Sequence, residues 1–453
     1  MATQLAPIKV SKGSIASIEN LCSALDIPLS EIYSALSLSD EEKYKVSSLA
    51  KSDGTDRIVH NPHFLLRKIQ RRINKRIFSK PSIIRWPDHL FGSVPNQLDS
   101  NMKHIINKDY VSCAAKHCEA KSILKVDIKD FFDNIHKDLV FDIFRNFMKC
   151  DLEVSEILTE ICCFHSRPVQ GALTSSYLAS LCLYDVEGSV VEKLSRKGLV
   201  YTRLVDDITV SSKINNYDFG YALDIIRSML TAKELPLNVA KTKSIYVSSE
   251  PLSVHGLRVA FPQPRLPSGE VSRIRAAVKN IETLASERGY RTTHAYRHDF
   301  NRCMGRVNKL IRVGHNRHQS LLDRLRKVFP LPSKKDIERA RAMLKRLQRD
   351  SSTKKDTYWY TKRYYKLQER LIVLERSFPA SAKEIRASLK GLKPIYDLEA
   401  ERNLEWISLS EFPSRRSYRR CSDRPYHQHY SISYNWLYQR WLFKVSLLSK
   451  HMR

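Results

Sequence analysis

Two adjacent aspartates, Asp206 and Asp207, stand between apolar, β-branched-rich runs in Tyr201-Thr202-Arg203-Leu204-Val205-Asp206-Asp207-Ile208-Thr209-Val210-Ser211. Such flanks read as a hairpin with the carboxylate pair at its tight turn. Neighbouring like charges repel, and a bound divalent cation is the usual compensation. A third acid, Asp127, ends the apolar run Ile123-Leu124-Lys125-Val126-Asp127. Three carboxylates so placed can hold two Mg²⁺ ions about 4 Å apart, with Mn²⁺ as the alternative ion, and that arrangement drives nucleotidyl transfer.

The elements that must position these acids follow from hydrophobic spacing. Residues 123 to 260 alternate strand and helix patterns, so the fold class is α+β. Upstream, residues 14 to 37 read as two short helices, with Ser14 and Ser17 as candidate caps and Leu21, Leu25, Leu29, Ile32 and Leu36 at near-helical spacing. Arg57-Ile58-Val59-His60 reads as a strand ended by Asn61-Pro62. A basic amphipathic helix follows, with Leu66, Ile69, Ile73 and Ile77 on one face. Its other positions hold Arg67, Lys68, Arg71, Arg72, Lys75 and Arg76, either a solvated surface or one that faces phosphate. The stretch from 265 to 330 is helical and basic, with Ile274, Ala277, Val278 and Ile281 on one face.

The whole chain of 453 residues carries a formal net charge of +29, from 77 Lys+Arg against 48 Asp+Glu. Such an imbalance repels itself unless a polyanion is near, and nucleic acid is the leading partner. No apolar run approaches the ~18 residues of a spanning helix, which argues against a membrane protein. The start, Met1-Ala2-Thr3-Gln4-Leu5, lacks the features of a signal peptide. Nine scattered cysteines without a C-x-x-C pair suit a reducing, cytoplasmic setting rather than a zinc site. After Pro332 the composition shifts: residues 331 to 453 hold 28 Lys+Arg and 13 Asp+Glu. Aromatics interleave with these cations at Trp359, Tyr360, Tyr364, Tyr365, Tyr418, Tyr426, Tyr430, Tyr434, Trp436, Tyr438 and Trp441. Some belong to helix cores by their spacing, and the rest could stack on bases.

Taken together, these motifs resemble bacterial reverse transcriptases of the retron and defence-associated kind, relatives of group II intron enzymes, over about residues 14 to 330. Arg57-Ile58-Val59 with Asn61-Pro62 and the run Leu65 to Gln70 are similar to the family's fingers segment, and Phe91-Gly92-Ser93 to its next glycine element. Asp127 to Phe132 is similar to the first catalytic motif. Gln170-Gly171-Ala172-Leu173-Thr174-Ser175-Ser176 is similar to the family's Gln-Gly-Ala-Pro-Thr-Ser-Pro loop, and Leu204-Val205-Asp206-Asp207 to its Tyr-Ala-Asp-Asp. Asn238, Lys241 and Thr242 fit the following motif, and Val254-His255-Gly256 fits the retron Val-Thr-Gly. The chain departs from these patterns at Leu204, at Leu173 and Ser176, at His255 in place of threonine, and at Cys113 in place of the asparagine of Asn-Ala-x-x-His.

The resemblance implies a right-hand polymerase with a helical basic C-terminal extension. Its parts would be an N-terminal helical segment at 1–50, fingers and palm at 51–263, a thumb at 264–330, and the aromatic-rich C-terminal region at 331–453. It implies an RNA-directed DNA polymerase that uses dNTPs and makes cDNA on a non-coding or template RNA in antiphage defence, with an accessory defence protein or a second copy as further partner. Asp127, Asp206 and Asp207 would be the metal ligands, with the Ile128 carbonyl as an extra one. Phe132, five residues past Asp127, would stand against the sugar 2′ position and exclude a hydroxyl there. Gln170 and Gly171 offer an amide and a close backbone approach to nucleotide or template. Lys241 is either a solvated lysine or the cation that reaches the pyrophosphate and protonates it. Arg57 and Arg67 are candidates for triphosphate contacts. Two other readings stay open: a template-independent or protein-primed DNA polymerase of the same fold, and a catalytically idle RNA-binding scaffold.

Overall fold

A computed structural model describes residues 4–50, 54, 56–98, 105–355 and 357–395. Helices Ile18–Leu25 and Leu29–Leu36 form where the leucine spacing places them. Ser17 caps the first by accepting from the Asn20 amide at 3.2 Å, and Ser14 takes no part in the cap. Strands Tyr44–Ala50 and Asp56–Pro62 pair as an antiparallel hairpin, and Asn61-Pro62 lies inside the second strand rather than after it. Helix Phe64–Ile73 then runs on into a wider π turn at Asn74–Phe78, with Leu66, Ile69, Ile73 and Ile77 buried as one stripe.

Lys68, Arg72 and Arg76 of this segment face acids rather than a phosphate surface. Lys68 Nζ lies 2.6 Å from Glu31, and Arg72 and Arg76 share Asp26 at 3.0 and 2.9 Å. Glu31 lies on the second N-terminal helix and Asp26 caps the C-terminus of the first, so the basic face helps dock them.

The central sheet has five strands in the order Lys243–Tyr246, Ser122–Asp127, Asp207–Ser212, Val200–Leu204, Leu90–Phe91. Neighbours are antiparallel except the last pair. Strand alternation assigns each side chain to a face, because directly paired residues share one. Leu124 and Val126 pair with Val210 and Ile208, and those pair with Tyr201 and Arg203. This face joins the main core with Leu178, Leu194, Ile226 and Leu230 from the surrounding helices. The other face carries Asp127 paired with Asp207, then Lys125 with Thr209 and Ile123 with Ser211. A smaller core of Ile123, Ile245, Leu252, Val254 and Leu257 closes its far end.

Beyond the sheet, helices Ser268–Ser286, His294–Arg312 and His318–Lys327 enclose their own core, including Ile274, Val278, Ile281, Phe300, Val307 and Leu325. Helices Lys334–Asp350, Tyr358–Leu374 and Pro379–Ser388 form a second bundle around Leu347, Tyr360, Tyr364, Leu367, Leu371 and Ile385. Tyr360 is fully enclosed and donates to the Leu392 carbonyl at 2.8 Å, whereas Trp359 is exposed under Lys362. Arg376 ties the two bundles by donating to the Pro330 carbonyl at 3.0 Å and lying over the Phe329 ring. The aromatics from Tyr418 to Trp441 lie outside the described residues.

Candidate active site

Leu204 and Asp207 close the hairpin as a register pair, leaving Val205 and Asp206 as a two-residue loop. Such loops need a positive φ at the first position, where glycine or asparagine is usual. Val205 takes it instead, at φ +61°, a strained conformation for a β-branched side chain that persists only when the surroundings enforce it. The Asp206 carbonyl accepts from the Ile128 amide at 3.2 Å, which locks the turn against the end of the Asp127 strand.

Asp127 and Asp207 are cross-strand partners on one face, and Asp206 stands beside them in the turn. Asn238 holds Asp127 twice: its amide donates to the main-chain carbonyl, and Nδ2 donates to Oδ2, both at 2.8 Å. Lys241 Nζ reaches both oxygens of Asp127, at 3.1 and 3.3 Å, with its side chain 67% exposed. The turn that carries Lys241 is closed by Thr242, which donates to the Asn238 carbonyl.

Burial and mutual repulsion both act on the two acids of the turn. Burial and the negative fields of Asp206 and Asp127 push the Asp207 carboxyl from 3.8 up to about 6. Burial and Asp127 raise Asp206 as well, against the pull of Lys241 and Arg57. The bond to Asp127 raises Lys241, so it stays protonated. Among the described residues no three acid, histidine or cysteine side chains close on one point, because Asp127 is turned to Asn238 and Lys241. The set nevertheless fits a divalent cation. All three donors are carboxylates at one end of one sheet, they repel each other, and hard cations take such oxygens.

Beneath this face runs a buried polar chain. His117 bonds Ser211 Oγ and Thr202 Oγ1, each at 2.7 Å, and Cys113 Sγ donates to the same Thr202 oxygen at 3.3 Å. Cys113 also meets His255 Nε2 at 3.4 Å, and His255 Nδ1 lies 3.8 Å from Asp207. Burial, with Lys125 nearby, lowers His255 to about 4, so it is neutral. Cys113 and His255 are both positions where the sequence departs from its family pattern, and they touch each other. A cysteine–histidine contact stands where the pattern has asparagine and threonine.

The Gln170 loop is held from the other side. Its Gln170 carbonyl accepts from the His60 amide at 2.7 Å, which joins it to the Asp56–Pro62 strand. Gly171 sits at φ +110°, and a Cβ there would lie 2.4 Å from the His60 carbonyl oxygen. Only glycine fits that approach. Gln70, buried in the apolar stripe of its helix, accepts from the Leu173 amide and donates to Tyr44 and Ile161, while Asn74 Nδ2 donates to the Leu173 carbonyl.

The remaining candidates are less tightly gathered. Arg57 is exposed on the Asp56–Pro62 strand and acts electrostatically on Asp206. Arg67 is half-buried on the next helix, with burial lowering its pKa. Phe132 is half-buried in the turn Phe131–Asn134 and packs on the main core, while Phe131 is the fully buried ring.

A profile described as reverse transcriptase (RNA-dependent DNA polymerase) matches residues 49–281, the span that holds all three carboxylates and the Gln170 loop. The chain belongs to the reverse transcriptase family. It is 47% identical over 395 residues to the Retron Ec48 reverse transcriptase of Escherichia coli, covering 86% of this chain and 95% of that one. It is 30% identical over 340 residues to the Retron Se72 reverse transcriptase of Salmonella heidelberg, covering 73% of this chain and 84% of that one. These relatives place it among bacterial retron reverse transcriptases, and it is an RNA-directed DNA polymerase of the right-hand fold. The family works with divalent metal ions. Among the described residues of this reverse transcriptase, no helix is long and apolar enough to cross a membrane.

Sequence reasoning passed over Gln70 and Asn74, which bond the Gln170 loop at Leu173, and Arg203, which donates to the Val205 carbonyl and pairs with Glu187. The usable signal was polarity inside an apolar pattern: Gln70 falls on the buried stripe of its helix, and Arg203 on the core-facing parity of its strand.

Proposed function

We propose that this reverse transcriptase copies a non-coding RNA into DNA in the cytoplasm, as the polymerase of an antiphage defence system with an accessory protein or second copy. The observation that carries the catalytic part is the cross-strand pairing of Asp127 with Asp207 beside Asp206 at the turn. Asp127, Asp206 and Asp207 would hold two Mg²⁺ ions, or Mn²⁺, with the Ile128 carbonyl as a further donor. Ions held there would supply a lowered pKa for the primer hydroxyl and charge stabilisation for the leaving pyrophosphate.

The protein's own groups do the rest. Lys241, kept protonated by Asp127, delivers a proton to the departing pyrophosphate. Gly171 lets the main chain approach the nucleotide or template, and Gln170 supplies an amide there. Phe132 fills the space a ribose 2′-hydroxyl would need. Arg57, whose field already reaches Asp206, neutralises triphosphate, with Arg67 as a second candidate for that contact. By this reading residues 1–50 are the N-terminal segment, whose last strand, Tyr44–Ala50, pairs with Asp56–Pro62 of the fingers, 51–263 are fingers and palm, 264–330 the thumb, and 331–453 a region that selects the protein's own RNA.

The basic composition of 331–453 supports the last assignment, since a single-stranded or looped RNA suits interleaved cations and exposed rings such as Trp359. The experiment is to sequence nucleic acid co-purified with the full chain and with a chain ending at Pro330. Full-length protein should retain one structured RNA with attached DNA. The truncated chain should still extend a generic primer but lose that RNA. Equal retention by both would assign the bundle a purely buttressing role.

A further inference from the structure

The buried charge that lies nearest the chemistry without entering it is Arg203. It sits on the sheet face opposite Asp207, is 0% exposed, and has every nitrogen of its guanidinium engaged. Nε and Nη2 grip Glu187 as a fork, at 2.7 and 2.8 Å. Nη2 also donates to the Ser180 carbonyl at 2.9 Å, and Nη1 to that of Ala179 at 3.2 Å. Nη1 makes one more bond, to the Val205 carbonyl at 3.1 Å.

These partners belong to three separate parts of the site. Val205 is the strained residue whose carbonyl belongs to the peptide leading into Asp206. Ala179 and Ser180 lie on helix Ser175–Leu181, which grows out of the Gln170 loop. Glu187 opens helix Glu187–Arg196 and is itself fixed by the Tyr201 hydroxyl at 2.8 Å and by His89 at 3.5 Å. A buried ion pair is weak evidence of stabilisation, because apolar residues of like volume commonly serve as well. A planar fork with five donors can instead fix several acceptors at set angles, which an apolar residue cannot do.

We propose that Arg203, clamped by Glu187, is a positioning residue: it holds the Val205 carbonyl, and through it sets where Asp206 presents its carboxylate relative to the Gln170 loop. A glycine at the turn would adopt the same φ without strain but would leave the peptide free to rotate. Valine with an arginine on its carbonyl fixes it. The inference rests on the metal-dependent reading above.

The test compares wild type, Arg203→Lys, and the double variant Arg203→Met with Glu187→Leu. The lysine keeps a charge for Glu187 but cannot reach the turn as well, and the double variant leaves no unpaired buried charge. Circular dichroism checks folding, electron paramagnetic resonance measures Mn²⁺ binding without nucleotide, and primer extension gives kcat and KM. Both variants should fold, keep KM for dNTP within about twofold, and lose roughly 100-fold in kcat, the cost of a misplaced reacting group. Mn²⁺ affinity should weaken about fivefold in parallel, as for loss of a group that orients a ligand. A folded variant with wild-type kcat would overturn the proposal, as would a kcat loss at unchanged Mn²⁺ affinity. Failure of both variants to fold would overturn it in favour of a purely structural role. Absence of Mn²⁺ binding or synthesis in wild type would instead count against the underlying metal-dependent reading.

Discussion

Replacing Asp207 by asparagine should stabilise the metal-free protein while crippling it. The Asp207 carboxyl is raised from 3.8 to about 6, first by burial and then by Asp206 and Asp127. A raised acid means that the folded state binds more protons than the unfolded state between those values. Stability therefore falls as pH rises through that window, and the penalty is complete above about pH 6. Two pK units would correspond to roughly 3 kcal/mol at most. The side chain is 53% exposed, so solvent screening reduces the figure to about 1 kcal/mol. Urea unfolding in chelator should show Asp207→Asn more stable than wild type by about that amount near pH 7.5, with the difference vanishing near pH 4. Added Mg²⁺ should stabilise wild type and narrow the gap, since the ion binds only the folded carboxylates. A variant less stable than wild type at neutral pH, or a pH-independent difference, would show that the carboxylates do not repel one another as described.

Other expectations follow from single contacts. Phe132→Ala should raise the ratio of ribonucleotide to deoxynucleotide incorporation by about tenfold or more, and an unchanged ratio would make Phe132 ordinary packing. Gly171→Ala should cost about 2 kcal/mol or more of thermal stability and abolish synthesis, because its Cβ would collide with the His60 carbonyl at a positive φ. Wild-type melting of that variant would contradict the geometry. Lys241→Ala should lower kcat by about 10- to 100-fold without weakening Mg²⁺ binding, since it removes a cation that competes for Asp127. Weaker Mg²⁺ binding would count against that role.

The carboxylate cluster was legible because its signals are local. Two apolar runs around an acid pair specify a hairpin, and a strand ending in an acid supplies the third group. What was not legible depends on residues distant in sequence. Lys68, Arg72 and Arg76 read as either a solvated or a phosphate-facing surface, yet their acids, Glu31 on one N-terminal helix and Asp26 at the end of the other, lie 37 to 50 residues upstream. Arg203 read as one more member of an alternating strand, because the clamp that gives it meaning arrives from a helix on the opposite face. Cys113 and His255 looked like unrelated departures and are 142 residues apart, but the fold brings them into contact. Tyr360 and Tyr364 illustrate the ambiguity of aromatics at helical spacing: both are core, whereas their neighbour Trp359 faces solvent.

The central claim is that the Asp206-Asp207 turn and Asp127 form the centre of RNA-templated DNA synthesis. Its most direct test is primer extension on two RNA templates of different sequence, with dNTPs and Mg²⁺, comparing wild type with Asp206→Asn/Asp207→Asn. Wild type should yield DNA complementary to whichever RNA is supplied. The double variant should yield none while still binding RNA, because that affinity comes from cations spread over the surface. DNA whose sequence ignores the template, or undiminished synthesis by the double variant, would contradict the account.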